Sequence, residues 1–125
     1  MKKDFLTLSS CSAAELRRLM ALATRCKRSP RAYAAALSGK TLALVFQKPS
    51  VRTRVSFEVA IRQLGGSAIY LGPDDVYLGK REPTKDVART LARYVDAIVV
   101  RTFSHTDVEA FARFACVPVI NGLSD

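Results

Sequence analysis

The chain has 125 residues, 49% of them hydrophobic and 25% charged, which is the size and composition of one compact domain and excludes a tandem-domain enzyme, a collagen-like repeat and a low-complexity tail. Twenty Lys and Arg against 11 Asp and Glu give a net charge of +9, a field that attracts phosphate groups, nucleic acid or an acidic membrane surface without choosing among them. No apolar run approaches the roughly 18 residues that cross a bilayer. The first residues lack the apolar stretch of a secretory signal, and Cys11, Cys26 and Cys116 are odd in number with no C-x-x-C pair, so the expectation is a cytoplasmic chain with neither a disulfide framework nor a metal site.

The elements follow in order. Ser12-Ala13-Ala14-Glu15 has the form of a capping box, and Leu16, Leu19, Met20 and Ala23 recur at helical spacing, which predicts a first helix over residues 13–27. Ser29-Pro30 opens a second short helix through Leu37, stopped by Ser38-Gly39. The apolar run 41–46 then reads as a strand covered on both faces of a parallel sheet. After a loop over residues 47–50, Phe57, Ala60, Ile61 and Leu64 mark one face of a helix that Gly65-Gly66 ends. The alternation repeats: a strand at 67–71, a Gly-Pro-Asp-Asp loop, a helix carrying Val87, Leu91 and Tyr94, a strand at 97–100, and a helix carrying Val108, Phe111, Ala112 and Ala115. The last apolar run, 117–120, contains Pro118 and belongs at a sheet edge or strand start. The fold class is therefore α/β: a parallel sheet of about four strands flanked by helices, with ligands expected at the carboxyl ends of the strands.

One such end is chemically unusual. In Phe46-Gln47-Lys48-Pro49-Ser50-Val51-Arg52-Thr53-Arg54 three cations crowd the start of a helix. The helix dipole already makes that end positive, so each exposed cation there forfeits about 0.3–1 kcal/mol. A bound anion reverses the sign. Backbone N–H groups, the Ser50 and Thr53 hydroxyls and the fork of Arg52 would together cradle a phosphate, although the G-x-x-x-x-G-K-[ST] pattern of a P-loop is missing. The competing reading has these cations solvated or paired, for example Arg54 with Glu58 one turn on.

Ser50-x-Arg52-Thr53-Arg54 followed by Ser56-Phe57-Glu58 resembles the carbamoyl-phosphate motif of the aspartate and ornithine carbamoyltransferases. The likeness continues through Leu64-Gly65-Gly66, Leu78-Gly79 with Glu82, Lys85-Asp86-Val87-Ala88-Arg89, Arg93-Tyr94-Val95-Asp96-Ala97-Ile98, Arg101-Thr102-Phe103-Ser104-His105 and the run from Val117 to Asp125, nearly the whole chain. Arg101-Thr102-Phe103 and Asn121-Gly122-Leu123-Ser124-Asp125 are similar to the ornithine branch, where aspartate enzymes read R-H-P and N-A-G-D-G; the aspartate branch is the alternative. The resemblance implies a Rossmann-like three-layer domain that binds carbamoyl phosphate, with no cofactor or metal, in an enzyme that carbamoylates the side-chain amine of ornithine to give citrulline and phosphate. It implies phosphate binding by Ser50, the Val51 backbone, Arg52 and Thr53, and contact of Arg101 with the carbamoyl group, Arg52 and Arg101 being the catalytic pair. It also implies a homotrimer, with residues 74–83 crossing between subunits.

Three positions depart from the family pattern. Val51 replaces a common threonine and loses a side-chain donor while keeping its backbone N–H. Tyr77 stands where many ornithine enzymes carry a glutamine that reaches a neighbouring subunit's ligand, and the exchange puts that substrate contact in question. Val87 replaces a threonine on what reads as a buried helix face. The family's H-P-x-Q motif and the ornithine-binding second domain would lie beyond Asp125, so residues 1–125 are expected to form the carbamoyl-phosphate-binding domain alone, inactive by itself.

Blander readings account for the remaining candidates. His105 precedes Thr106-Asp107-Val108-Glu109, another capping-box form, and reads as a helix-start residue. Asp74-Asp75 reads as a turn pair and not a metal site. The basic run 25–31 reads as a solvated helix end favoured by the dipole, which argues against a small basic domain for RNA or DNA. A domain that acts only through assembly is the remaining alternative.

Overall fold

The computed structural model describes residues 1–124. Four helices and four strands alternate along the chain: α1 (Ala13–Arg28), β1 (Thr41–Phe46), α2 (Val51–Gln63), β2 (Ser67–Leu71), α3 (Thr84–Leu91), β3 (Ala97–Arg101), α4 (His105–Phe114) and β4 (Val119–Asn121). The strands form one parallel sheet in the order β2-β1-β3-β4.

The period of two along the strands sorts their side chains into two layers. Ala43 and Val45 of β1, Ile98 and Val100 of β3 and Val119 of β4 face one layer, where Val87 and Ala88 of α3 and Val108 and Phe111 of α4 cover them. Leu42, Leu44 and Phe46 of β1 and Val99 of β3 face the other, where Phe57 and Ile61 of α2 and Leu37 pack. With both faces covered, the continuous apolar run of β1 needs no polar alternation.

The second layer is incomplete. α2 covers β1 and β2, while α1 has no buried residue and leaves Leu19, Met20 and Leu22 exposed. Between α1 and α2 run two adjoining clefts of about 390 and 500 Å³, both lined by Pro118 and Ile120. Thr41, Leu42 and Ala97 line the larger, so it lies at the amino ends of the strands, away from the polar turns.

Several boundaries differ from the sequence reading. The capping box of α1 is present, with Ser12 Oγ accepting from Glu15 N at 3.2 Å and Glu15 Oε2 accepting from Ser12 N at 2.8 Å. The expected second helix is only a 3-10 turn, Pro30–Tyr33, followed by turns to Gly39. Helical pairing is not continued, since Leu37 N donates across to Leu64 O at 2.7 Å, and the end of α2 lies so close at Gly65 (φ +90°) that a Cβ there would sit 2.7 Å from the Ala34 carbonyl oxygen. Tyr94 does not lie on α3. The helix ends at Leu91, whose carbonyl accepts from both Tyr94 N and Val95 N, and the tightened turn throws Tyr94 into solvent, 80% exposed. Ala115 is the buried residue just past the end of α4. The start of α4 is capped by Ser104, whose Oγ accepts from Thr106 N, and not by Thr106.

β4 is the last strand of the sheet, as the proline implied, yet its outer side is occupied. Phe5 N donates to Val119 O and Asn121 N to Phe5 O, both at 2.8 Å, and Asp4 Oδ1 accepts from Val119 N at 2.9 Å. A single parallel bridge, Phe5 to Ile120, thereby satisfies backbone groups that an open edge would leave unpaired.

Candidate active site at the β1 and β3 ends

β1 leads into α2 on one face of the sheet and β3 leads into α4 on the other, so the chain leaves these neighbouring strands in opposite directions. The crevice outside the carboxyl ends at such a reversal is where open parallel sheets bind ligands. Phe46, the last residue of β1, is in register with Arg101, the last of β3, and Gln47 N donates to Arg101 O at 2.8 Å. The polar turn at 47–50 and Arg101 therefore share one rim.

Ser50 is the N-cap of α2 (φ −157°, ψ 106°), its Oγ accepting from Thr53 N at 3.4 Å and donating to Thr53 Oγ1 at 3.0 Å. The two hydroxyls expected in the cradle are thus locked onto each other, and the Thr53 hydroxyl hydrogen is left to donate outward. Ahead of them, the N–H groups of Val51 and Arg52 belong to the first helical turn, which has no intrahelical acceptors. The Val51 side chain is 79% exposed.

The three cations do not behave alike. Arg54 is turned along the helix: its Nε donates to Glu58 Oε1 at 3.0 Å and its guanidinium carbon lies 3.6 Å from the centroid of the Tyr70 ring. The pairing reading holds for that residue. Lys48 has its ammonium 5.4 Å from the centre of the Phe103 ring. Arg52 is exposed, and among the described residues no hydrogen bond or ion pair engages its guanidinium.

Arg101 is half-buried and held by its fork. Nη1 donates to Gly122 O at 2.9 Å, while Nε is buried and has no partner among the described residues. Leaving a buried donor unsatisfied costs of order 1–3 kcal/mol, and more on a charged group, so this side chain is incompletely served by the described residues around it.

Tyr77 is 40% exposed and lies in the loop between β2 and α3. Gln47 Nε2 donates to Val76 O at 2.6 Å and ties that loop to the rim next to Tyr77. The tether went unread in the sequence because a glutamine in a loop carries no pattern; only the register of β1 shows which way it reaches. Asp75 closes a turn by accepting from Gly72 N at 2.8 Å, as its place in the Gly-Pro loop implied, and no cluster of metal-ligating side chains occurs among the described residues. Of the basic run, Arg25, Lys27 and Arg28 lie in the last turn of α1 and Arg31 in the 3-10 turn that follows.

Residues 3–125 match the family model described as the aspartate/ornithine carbamoyltransferase carbamoyl-P binding domain. The chain belongs to this family. It is 52% identical over its full length to ornithine carbamoyltransferase of Methanoculleus marisnigri, covering 41% of that protein, and 51% identical over 98% of its length to the Anoxybacillus flavithermus enzyme, covering 40%. Among solved structures, ornithine carbamoyltransferase from Pyrococcus furiosus superposes with a TM-score of 0.95 at 50% identity, with 98% of this chain matched to 40% of that one. The anabolic enzyme from Campylobacter jejuni gives 0.94 at 42% identity, with all of this chain matched to 40% of that one. The chain thus spans about two fifths of the length of these relatives. The four-stranded parallel sheet flanked by helices is the fold that these structures share with it.

Proposed function

We propose that residues 1–125 form the domain of an ornithine carbamoyltransferase that binds carbamoyl phosphate in the crevice between the ends of β1 and β3. The observation that carries the reading is a guanidinium at a helix start, Arg52, that no hydrogen bond or ion pair engages among the described residues, at the end of the strand whose neighbour ends in Arg101. An anionic, acceptor-rich ligand would supply the partner that the Arg52 guanidinium lacks.

The phosphate would lie on the N–H groups of Val51 and Arg52, with the Thr53 hydroxyl and the Arg52 fork. Ser50 holds the turn, and Val51 contributes backbone only. The carbamoyl oxygen would meet Arg101. When an amine attacks the carbamoyl carbon, negative charge grows on that oxygen and on the departing phosphate. Donors fixed in place beforehand favour that transition state over the ground state. The substrate arrives as an activated acyl phosphate, so positioning and charge stabilisation suffice, and no side chain here need act as a nucleophile.

The amine donor favoured is ornithine, giving citrulline, because the relatives above carry that name. The ornithine site would lie in a second domain, supplied by the remaining three fifths of a relative's length, and residues 1–125 alone would form no citrulline. Cytoplasmic location and a homotrimer, with Tyr77 turned toward a neighbour's ligand, complete the reading. No helix among the described residues is long and apolar enough to cross a membrane. Calorimetric titration of the chain with carbamoyl phosphate tests the assignment: saturable one-site binding, lost in Arg52→Ala, is expected, and equal affinity of the two proteins would refute it.

A further inference from the structure

Beyond β4 the chain makes a turn that no helix or strand supports. Leu123 adopts φ +109°, a region that costs a non-glycine residue about 1–3 kcal/mol and persists only where its surroundings enforce it. Two side chains supply the enforcement. Asn121 Oδ1 accepts from Leu123 N at 2.9 Å and Asn121 Nδ2 donates to Ser124 Oγ at 3.1 Å. From the start of α4, His105 Nδ1 lies 2.8 Å from the same Ser124 Oγ.

The turn matters because of Gly122. Its carbonyl is the acceptor that fixes Arg101 Nη1, and its backbone is pressed close enough that a Cβ there would meet Val99 at 3.0 Å and Arg101 Cβ at 3.5 Å. Gly122 N donates to Val100 O at 2.7 Å, which fixes one side of the residue to β3; the direction of its carbonyl, the one acceptor among the described residues that orients the Arg101 fork, is set from the other side by the strained turn. Ser124 Oγ, with one hydrogen and two lone pairs, can bond Asn121 Nδ2 and His105 Nδ1 together whichever imidazole nitrogen carries the proton.

We propose that His105 is a positioning residue: by tying Ser124 to the start of α4 it holds the strained turn whose Gly122 carbonyl aims Arg101 at the carbamoyl group. This deepens the proposed function and rests on it for the role of Arg101. His105 touches no ligand in this scheme. Its effect should therefore fall on the carbamoyl end of the ligand and spare the phosphate end, which the start of α2 holds.

The test is calorimetric titration of the chain with carbamoyl phosphate and, separately, with inorganic phosphate, for wild type, Arg101→Ala, His105→Ala, His105→Asn and His105→Gln. His105→Ala should bind carbamoyl phosphate about three- to tenfold more weakly, the worth of one hydrogen bond, with phosphate affinity unchanged within about twofold. Asn places an amide near Nδ1 and should restore binding; Gln places it near Nε2 and should not. A ligand-free readout accompanies this: the Arg101 Nε–H resonance in a nitrogen-15 spectrum should move in His105→Ala and return in His105→Asn. An unmoved resonance, or equal weakening toward both ligands, overturns the positioning role. Wild-type chain that binds carbamoyl phosphate no better than Arg101→Ala overturns instead the assignment of Arg101, and the resonance still reports on His105 by itself.

Discussion

Ser50 serves two purposes that substitution can separate. As the N-cap of α2 it accepts from Thr53 N, but at 3.4 Å the contact is long, so removal should cost the lower part of the usual capping range, about 0.5–1 kcal/mol. For a chain of this size the unfolding entropy is about 0.26 kcal/mol/K, which converts that loss into a Tm drop of about 2–4 °C. Ser50→Ala should show this drop. Ser50→Gly should lose only a few tenths of a kcal/mol, because glycine is itself a tolerated N-cap. Both variants also remove the hydroxyl that fixes Thr53 Oγ1. If that fixed hydroxyl pair serves the phosphate, both should weaken carbamoyl phosphate binding alike, by about ten- to a hundredfold, the worth of a hydrogen bond to a charged group. Thermal melts and calorimetric titrations on the same preparations decide it. Wild-type affinity in Ser50→Gly would refute the reasoning and leave Ser50 as a cap alone.

Phe111, fully buried between α4 and the sheet, should cost about 3–5 kcal/mol as Phe111→Ala, a large share of the stability of an ordinary domain; urea unfolding reads it, and a loss under 1 kcal/mol would contradict the packing described. Glu15 is held at about 2 against an ordinary 4.5, chiefly by its hydrogen bond with Lys3 and then by the Ser12 backbone N–H. A depressed carboxylate stabilises above its unfolded value, so this contribution should be complete above about pH 4.5 and fade as pH falls toward 2. Asp96, lowered by the Thr41 N–H and Lys40, acts in the same direction. Both are solvent-exposed, so the effect should be small and weaken with salt. Glu15→Gln should flatten the acid limb of a urea-midpoint profile, and an unchanged limb would count against the Lys3 contact.

What the sequence disclosed follows physical range. The run 41–46 announced a strand with both faces covered, because a central parallel strand has no solvent side to encode. The crowding of Lys48, Arg52 and Arg54 raised the expectation of an anion site, because a local charge conflict is visible without coordinates. Its resolution was not visible. Arg54 stacks on Tyr70 of β2, sixteen residues away, and only the fold brings that ring under it. Phe5 along β4 escaped notice for the same reason: pairing over more than one hundred residues leaves no local period. Tyr94 misled because its spacing from Val87 and Leu91 continues the helical face beyond the point where the backbone tightens at Leu91. The strained turn at Leu123 was hidden by composition, since a leucine gives no signal for a positive φ.

The central claim is one of place: an anion bound where the β1 and β3 ends meet. Proton–nitrogen correlation spectra recorded while carbamoyl phosphate is added locate it directly. The account predicts saturable shifts concentrated on the amides of Val51, Arg52, Thr53 and Gly122 and on the side chain of Arg101. Shifts confined instead to the basic end of α1, or spread evenly over the positive surface without saturation, would contradict it.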